Sequence, residues 1–164
     1  MSCLSMIEHR MRRCALLLGL LAAAVPPAAA ATPGVLPFGA DTWRELERSP
    51  ARPMAVVFST TDCTHCPKVI DQLAGEIRKA RSDARLVVVV MDGAGQEQEL
   101  IKDRHYRKAQ ALYAFDGDAQ ALRYAVNPAW RGLTPYVALI SAKGTTSFHS
   151  GAPSPEALRA FRQR

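Results

Sequence analysis

Four stretches of the chain have the pattern of strands. Residues 54–60, 86–91 and 135–141 are nearly continuous apolar runs, and residues 145–149 follow the last of these runs across an Ala-Lys-Gly turn. The run at 86–91 does not alternate with polar residues, which is typical of a strand buried on both faces of a sheet. The last two stretches have the spacing of a β-hairpin. Together these patterns predict a sheet of four strands.

Segments with helical spacing lie between and around the predicted strands. Helices are predicted over residues 42–47, from Cys63 to about residue 80, and after Ser154, which precedes a proline as a helix N-cap often does. Residues 96–126 also carry a polar, helical pattern without an obvious extra strand. We expect Asp116-Gly117-Asp118 to divide this segment into two helices, the second of them capped by Asp118.

The order of these elements predicts the fold class. Residues 31–40 contain two prolines and two glycines and are expected to form an extended lead-in. Helices then alternate with strands before the chain ends in a hairpin and a helix. The sequence therefore predicts an α/β fold: a central mixed four-stranded sheet flanked by helices, with a helical insertion before the strand at 135–141.

The first thirty residues have the three parts of a secretory signal. Three arginines stand between positions 10 and 13, residues 14–25 form an apolar stretch, and residues 28–30 offer a small-residue cleavage site. We expect residues 1–30 to be a signal peptide, or an uncleaved membrane anchor. Residues 31–164 are expected to form one domain.

The use of cysteine points to redox chemistry. The chain has four cysteines, and removal of residues 1–30 would leave only Cys63 and Cys66. A bridge across so short a loop adds little stability on the chain-entropy account, so we interpret the pair as chemically active. The formal net charge of +6 is modest and dispersed. With the predicted export, it argues against a nucleic-acid partner.

The spacing of the two cysteines suits thiol–disulfide exchange. The pattern places Cys63 where a strand and short turn give way to a helix, and there unpaired N–H groups and the helix dipole favour a thiolate. Cys66 lies one helical turn further on the same side. Such a pair can alternate between dithiol and disulfide, with one thiol of lowered pKa as the attacking group.

Two separate stretches resemble the signatures of the thioredoxin fold. Cys63-Thr-His-Cys66 follows a predicted buried strand, and Trp130-Arg-Gly-Leu-Thr-Pro135 precedes another strand later in the chain. The resemblance covers about residues 40–163. It implies a cis bond before Pro135, which would face the cysteine pair. It also implies that Thr134 and Pro135 form the substrate-binding wall, with the backbone of Thr134 offered to a substrate chain.

Within this fold, the signal-like start, Thr134-Pro-Tyr136 and the long segment 93–133 resemble the exported reductases grouped with TlpA and ResA. The resemblance implies a periplasmic thiol–disulfide oxidoreductase, a protein-disulfide reductase in which Cys63 is the catalytic nucleophile and Cys66 resolves the mixed disulfide. Its substrate would be an exported protein with a disulfide or dithiol, as in cytochrome c maturation or copper-site thiols. A membrane thiol–disulfide protein would donate the electrons. The redox-active disulfide is the only cofactor implied, and no metal.

Three features depart from that group. The dipeptide Thr64-His65 differs from the usual one between the cysteines, and we expect both residues to modulate the redox pair. Val57 occupies the position of the buried acid that thioredoxin carries six residues before its first cysteine. The proton relay of thioredoxin is therefore expected to be absent. The inserted segment reads as helical, without an extra strand.

Two other functions remain open on the sequence. A histidine directly before the second cysteine, here His65, occurs in strongly oxidising members of the fold, so the chain could instead be a disulfide-donating oxidase. Two thiolates and an imidazole also suit copper, as in Sco-type copper chaperones, with His105 or His149 as a further ligand. In those chaperones the second cysteine lies four residues after the first, and this chain has Ile70 at that distance from Cys66.

Overall fold

The computed structural model describes residues 34–79 and 83–162. The described residues contain a sheet of six strands in the spatial order β1-β4-β3-β2-β5-β6. The strands are β1 Val35–Phe38, β2 Met54–Ser59, β3 Arg85–Val90, β4 Ala111–Phe115, β5 Tyr136–Ile140 and β6 Thr146–Ser150. The first four are mutually parallel where they pair, while β5 is antiparallel to β2 and β6 is antiparallel to β5.

Five α-helices and one 3₁₀ turn connect the strands of the described chain. They are α1 Thr42–Arg48, α2 Cys66–Lys79, α3 Glu97–Leu100, the 3₁₀ turn Tyr106–Lys108, α4 Ala119–Val126 and α5 Pro155–Arg162. The predicted N-cap of α4 is confirmed, because the side chain of Asp118 accepts a hydrogen bond from the backbone N–H of Ala121 at 2.7 Å. Ser154 caps α5 in the same way through Ala157.

The sheet has a hydrophobic core on each face, and β2 contributes to both. Alternate residues of a strand point to opposite faces, and all six residues of β2 are buried. Val57 faces the side covered by α2 and α5, whereas Phe58 faces the side covered by α1 and α4. A strand buried on both faces explains why the apolar run at 54–59 lacks alternation.

The prediction of a helical insertion is wrong at Ala111–Phe115, which form β4. This strand pairs in parallel with β3 on one side and β1 on the other. Gln110 aligns it: its backbone N–H donates to the carbonyl of Leu86, and its side-chain oxygen accepts from the Leu86 N–H at 2.6 Å. Tertiary pairing therefore overrides the weak helical pattern of this short segment.

The sequence prediction also missed β1, the strand at one edge of the sheet. The four predicted strands are all present, but the sheet has six because β1 and β4 extend it beyond β3. Four residues of the predicted extended lead-in form β1. Pro37 is tolerated there because β1 lies at the edge of the sheet, where one side of the strand needs no ladder hydrogen bond.

The predicted signal peptide, residues 1–30, lies outside the described residues. Within the described part of the chain, no helix combines the length and apolar character needed to span a membrane.

Candidate redox site

Cys63 and Cys66 form a disulfide, with an S–S distance of 2.02 Å and Cα atoms 5.5 Å apart. The two residues differ in exposure: Cys63 is partly exposed, whereas Cys66 is completely buried. An incoming molecule can therefore reach the pair at Cys63. This asymmetry suits one sulfur that attacks from the surface and a second that acts from inside.

The helix begins later than the sequence predicted. Its first residue is Cys66, and Cys63 lies three residues earlier in a turn. The N–H of Cys63 donates to the carbonyl of Thr60, and the N–H of Cys66 donates to the carbonyl of Cys63. Pro67 occupies the second helical position, where its missing N–H costs no intrahelical hydrogen bond.

The antiparallel pairing of β2 and β5 brings the two predicted signatures together. Because Phe58 pairs with Tyr136, the carboxyl end of β2 lies beside the amino end of β5. The hydroxyls of Thr60 and Thr134 lie 3.3 Å apart across this junction. The peptide bond between Thr134 and Pro135 is cis, which is the isomer that the resemblance implies.

A buried tryptophan fixes the loop before Pro135. The indole N–H of Trp130 donates to the carbonyl of Leu133 at 3.0 Å, and its ring stacks on Tyr136 with centroids 4.6 Å apart. Burial raises the pKa of Tyr136, so its hydroxyl is neutral near pH 7 and accepts a hydrogen bond from Asn127. Gly132 has a φ of 86°, a conformation that favours glycine. The contacts of Trp130 with Leu133 and Tyr136 therefore stabilise the loop that carries Thr134.

Asp92 holds the turn that precedes Cys63. Its carboxylate accepts hydrogen bonds from the backbone N–H of Thr61 at 2.9 Å and from the Thr61 hydroxyl at 2.6 Å. Asp92 lies outside the sequence motifs that predict the site. Its position directly after the buried run 86–91 could have signalled this role, since β2 and β3 are parallel and their carboxyl ends meet at one edge.

Hydroxyl groups, rather than a carboxylate, lie behind the turn. Val57 is completely buried, as the sequence indicates for the position of the thioredoxin acid. Ser59 is also completely buried, and its hydroxyl contacts that of Tyr106 at 3.3 Å. Burial raises the pKa of Tyr106, so this hydroxyl remains a donor at neutral pH. It reaches the carbonyl of Thr60 at 3.5 Å.

A groove of about 500 Å³ borders the Thr134–Pro135 wall. One side is the face of α2 that carries Lys68, with the exposed residue His65 just before the helix. Beyond the wall, residues 150–152 complete the lining. The structure thus places His65 and both wall residues on one groove. Thr64 is exposed but does not line it.

The other two described histidines have local partners. His105 contacts the carboxylate of Asp71 at 2.8 Å, and the His149 ring contacts the Ser147 hydroxyl at 3.1 Å within β6. Burial lowers the pKa of His149. Over residues 34–79 and 83–162, no cluster of three or more His, Cys, Asp or Glu side chains is placed to hold a metal ion.

Several solved structures are similar to this chain. An uncharacterized thioredoxin-like protein from Porphyromonas gingivalis matches with a TM-score of 0.52 and 17% identity, over 70% of this chain and 78% of that chain. StoA from Bacillus subtilis matches with a TM-score of 0.48 and 18% identity, over 71% of this chain and 86% of that one. A secreted Mycobacterium tuberculosis disulfide oxidoreductase matches with a TM-score of 0.46 and 20% identity, over 66% and 78% of the two chains.

No protein-family model matches the chain, and no curated protein matches it. The Porphyromonas structure carries the assignment of the fold, because at these identities similarity in structure shows the fold alone. The parallel strands, the antiparallel β5–β6 hairpin and the helices on both faces agree with that assignment. The chain has the thioredoxin fold.

Proposed function

We propose that this protein is a periplasmic thiol–disulfide oxidoreductase that reduces disulfides of exported proteins. One observation carries the proposal: the Cys63–Cys66 disulfide, partly exposed at its first cysteine and buried at its second, lies at the same end of the sheet as Thr134 and Pro135. A structural bridge would gain little from so short a loop. A reactive pair needs one accessible sulfur and one protected sulfur within reach, and this pair has both.

The exchange begins with the reduced pair. The thiolate of Cys63 attacks one sulfur of the substrate disulfide, forms a mixed disulfide, and releases the other substrate sulfur as a thiolate that takes up a proton. Cys66 then loses its proton and attacks the sulfur of Cys63. The second substrate thiol leaves, and the Cys63–Cys66 disulfide remains. Two electrons have moved from the protein to the substrate.

The backbone of Thr134 supports the binding of an extended substrate chain. Among the described residues, none pairs with its N–H or its C=O, whereas the carbonyl of Pro135 accepts from the N–H of Gly151 at 2.8 Å. A substrate segment alongside Thr134 would gain main-chain hydrogen bonds, the mode in which a peptide adds to a sheet edge. This arrangement favours a polypeptide substrate over a small thiol.

The proposed direction requires an electron supply. After each cycle a second dithiol must reduce the Cys63–Cys66 disulfide, and in the periplasm we assign this role to a membrane thiol–disulfide donor. The signal-like residues 1–30 support export. Cytochrome c precursors and copper-site thiols are suitable substrates, since both need reduced cysteines in an oxidising compartment.

The reduction potential of the pair tests this direction. We expect a value close to that of thioredoxin, about −270 mV, when the protein without residues 1–30 is equilibrated in thiol redox buffers. A value near about −120 mV, that of a strong disulfide donor, would contradict the reductase function. It would support the oxidase alternative, with His65 as the cause. The variant His65→Ala would then lower the potential again.

A further inference from the structure

We propose that the groove between the start of α2 and the Thr134–Pro135 wall selects substrate chains in which the reactive cysteine is flanked by an apolar residue and by an acidic residue. This inference rests on the proposed function and specifies its substrate class. The occupant is a short extended segment of an exported polypeptide. The groove's length, its apolar patch and its charge each support this.

The groove has room for about three residues of an extended chain. Its helical wall consists of His65, which directly precedes α2, and of one face of the first two turns of α2 as far as Gln72. At 1.5 Å per residue that face spans about 10 Å, the length of roughly three residues of an extended chain. Recognition therefore concerns the immediate neighbours of the reactive cysteine.

The apolar part of the groove is unusual for a surface. Leu133 is 71% exposed, one of three large hydrophobic residues exposed in the described chain. The groove is also lined by Val69 and Pro135, which are buried, and by Ala152, which is exposed. A substrate side chain of the size of leucine would remove apolar surface from water on both partners.

The polar part of the groove carries one positive charge, that of Lys68. Lys68 and His65 line it, and no aspartate or glutamate does. Within the described chain, Lys68 forms no ion pair. The nearest acid along the same helix, Asp71, is already paired with His105 and Lys108. An acidic substrate residue would provide the missing counter-charge for Lys68.

Symmetric peptide disulfides test the selectivity directly. Short palindromic peptides with a single central cysteine are oxidised to dimers, so that attack on either sulfur gives the same products. The first carries leucine and glutamate on each side of the cysteine, the second replaces each leucine by serine, and the third replaces each glutamate by lysine. The reduced protein is mixed with each dimer, and the released peptide thiol is measured by chromatography.

We expect the wild-type protein to reduce the glutamate peptide about tenfold faster than the lysine peptide, because attraction to Lys68 becomes repulsion. The same first peptide, which carries leucine, should react about fivefold faster than the second peptide, which carries serine instead. Lys68→Glu should abolish or reverse the charge preference, and Leu133→Ser should bring the leucine-to-serine ratio close to one. Ratios are compared because the same Cys63 thiolate attacks every peptide, so that a change in its reactivity cancels.

Lys79→Glu is the matched control. Lys79 is exposed at the far end of α2, and its substitution changes the net charge of the protein as Lys68→Glu does. It should leave the charge preference intact. If it abolishes the preference as strongly as Lys68→Glu, the selectivity comes from overall charge and the inference is wrong.

The small neutral disulfide of 2-mercaptoethanol separates the two claims. If the protein fails to reduce it and every peptide, the proposed function itself fails. If the protein reduces it but shows peptide ratios near one, exchange occurs without this selectivity and only the inference about the groove is overturned.

Discussion

Thr60 contributes to the site with both its carbonyl and its hydroxyl. The carbonyl accepts the N–H of Cys63 at 3.2 Å and is approached by the Tyr106 hydroxyl, while the Thr60 hydroxyl pairs with that of Thr134. One residue thus connects the cysteine turn, the substrate wall and the buried hydroxyls behind them. This connection fixes the position of Cys63 relative to Thr134, the two residues that the proposed function assigns to attack and to substrate binding.

The Tyr106 hydroxyl should contribute measurably to stability. Tyr106→Phe removes the contacts to Ser59 and to the carbonyl of Thr60, and we expect it to lower the free energy of unfolding by about 1 kcal/mol. Urea unfolding measures this loss. Tyr124→Phe is the matched control, because Tyr124 is 67% exposed and should lose almost nothing. Equal stabilities for Tyr106→Phe and the wild type would show that these contacts do not contribute to the free energy of unfolding.

The candidate residues that the structure brings together could be identified from the sequence, whereas the residues that support them could not. Cys63, Cys66, Thr134 and Pro135 belong to short motifs whose spacing is visible along the chain. The contacts of Asp92 with Thr61, and of Tyr106 with the turn before Cys63, join residues 31 and 46 positions apart. No local pattern encodes such pairs, because they depend on which strand ends meet at one edge.

At the scale of elements, β4 is the clearest departure from the sequence reading. Ala111–Phe115 carry leucine, tyrosine and phenylalanine, which suit a strand as well as a helix. In five residues the two periods cannot be separated, and the flanking polar residues favoured the helical reading. The longer apolar runs of β2, β3 and β5 left no such ambiguity.

The edge strand β1 should be essential to the fold. Phe38 is 1% exposed and its ring lies 5.9 Å from that of Phe58 and 5.3 Å from that of Phe115. Phe38→Ala should therefore lower the free energy of unfolding by about 3–5 kcal/mol. Leu36→Ala, on the same strand but 46% exposed, should cost much less. If the two variants lose similar stability in denaturant unfolding, β1 does not pack as described.

An ionic cluster links α2 to the segment around the 3₁₀ turn. Lys108 and His105 both contact the carboxylate of Asp71, at 2.5 and 2.8 Å. Burial acts to raise the pKa of Asp71, but the hydrogen bonds from Lys108 and His105 together with their charges outweigh it. The pKa therefore lies below its ordinary value of 3.8. The cluster fixes the segment that presents Tyr106 to the back of the site.

This cluster predicts a pH dependence of stability. A carboxylate with a lowered pKa stabilises the folded state above its ordinary pKa, and that contribution is lost as the pH falls through the folded-state pKa. Asp71→Asn should therefore be less stable than the wild type at about pH 7, by a fraction of 1 kcal/mol because the side chain is 40% exposed. The difference should close at about pH 2.

Urea unfolding at the two pH values measures the difference. Asp41→Asn, which breaks only an exposed pair with Arg44, serves as the control variant. A deficit of Asp71→Asn that is the same at both pH values would mean that the carboxylate charge is not the source of its effect.

At the scale of the whole molecule, the topology explains why one end of the sheet carries the chemistry. The carboxyl ends of β2 and β3 provide the cysteine turn and Asp92, and the antiparallel β5 begins at that same end with the Thr134–Pro135 wall. α2 then lines the groove with its first two turns. Two motifs far apart in sequence thereby form one surface, to which the proposed function assigns the binding of an extended chain beside Cys63.

Trapping of a mixed disulfide tests the division of roles between the two cysteines most directly. The protein without residues 1–30 is prepared as Cys66→Ser and as Cys63→Ser, and each reduced variant is mixed with the leucine–glutamate peptide dimer. Intact mass then reports a covalent adduct of one peptide.

We predict a stable adduct on Cys66→Ser, because Cys63 is reachable and no second thiol resolves the mixed disulfide. Cys63→Ser should form none, since its remaining thiol at Cys66 is completely buried. The wild type should end as free peptide thiols and the internal disulfide. An adduct on Cys63→Ser at the same rate, or no adduct on Cys66→Ser, would contradict the account of Cys63 as the attacking and Cys66 as the resolving residue.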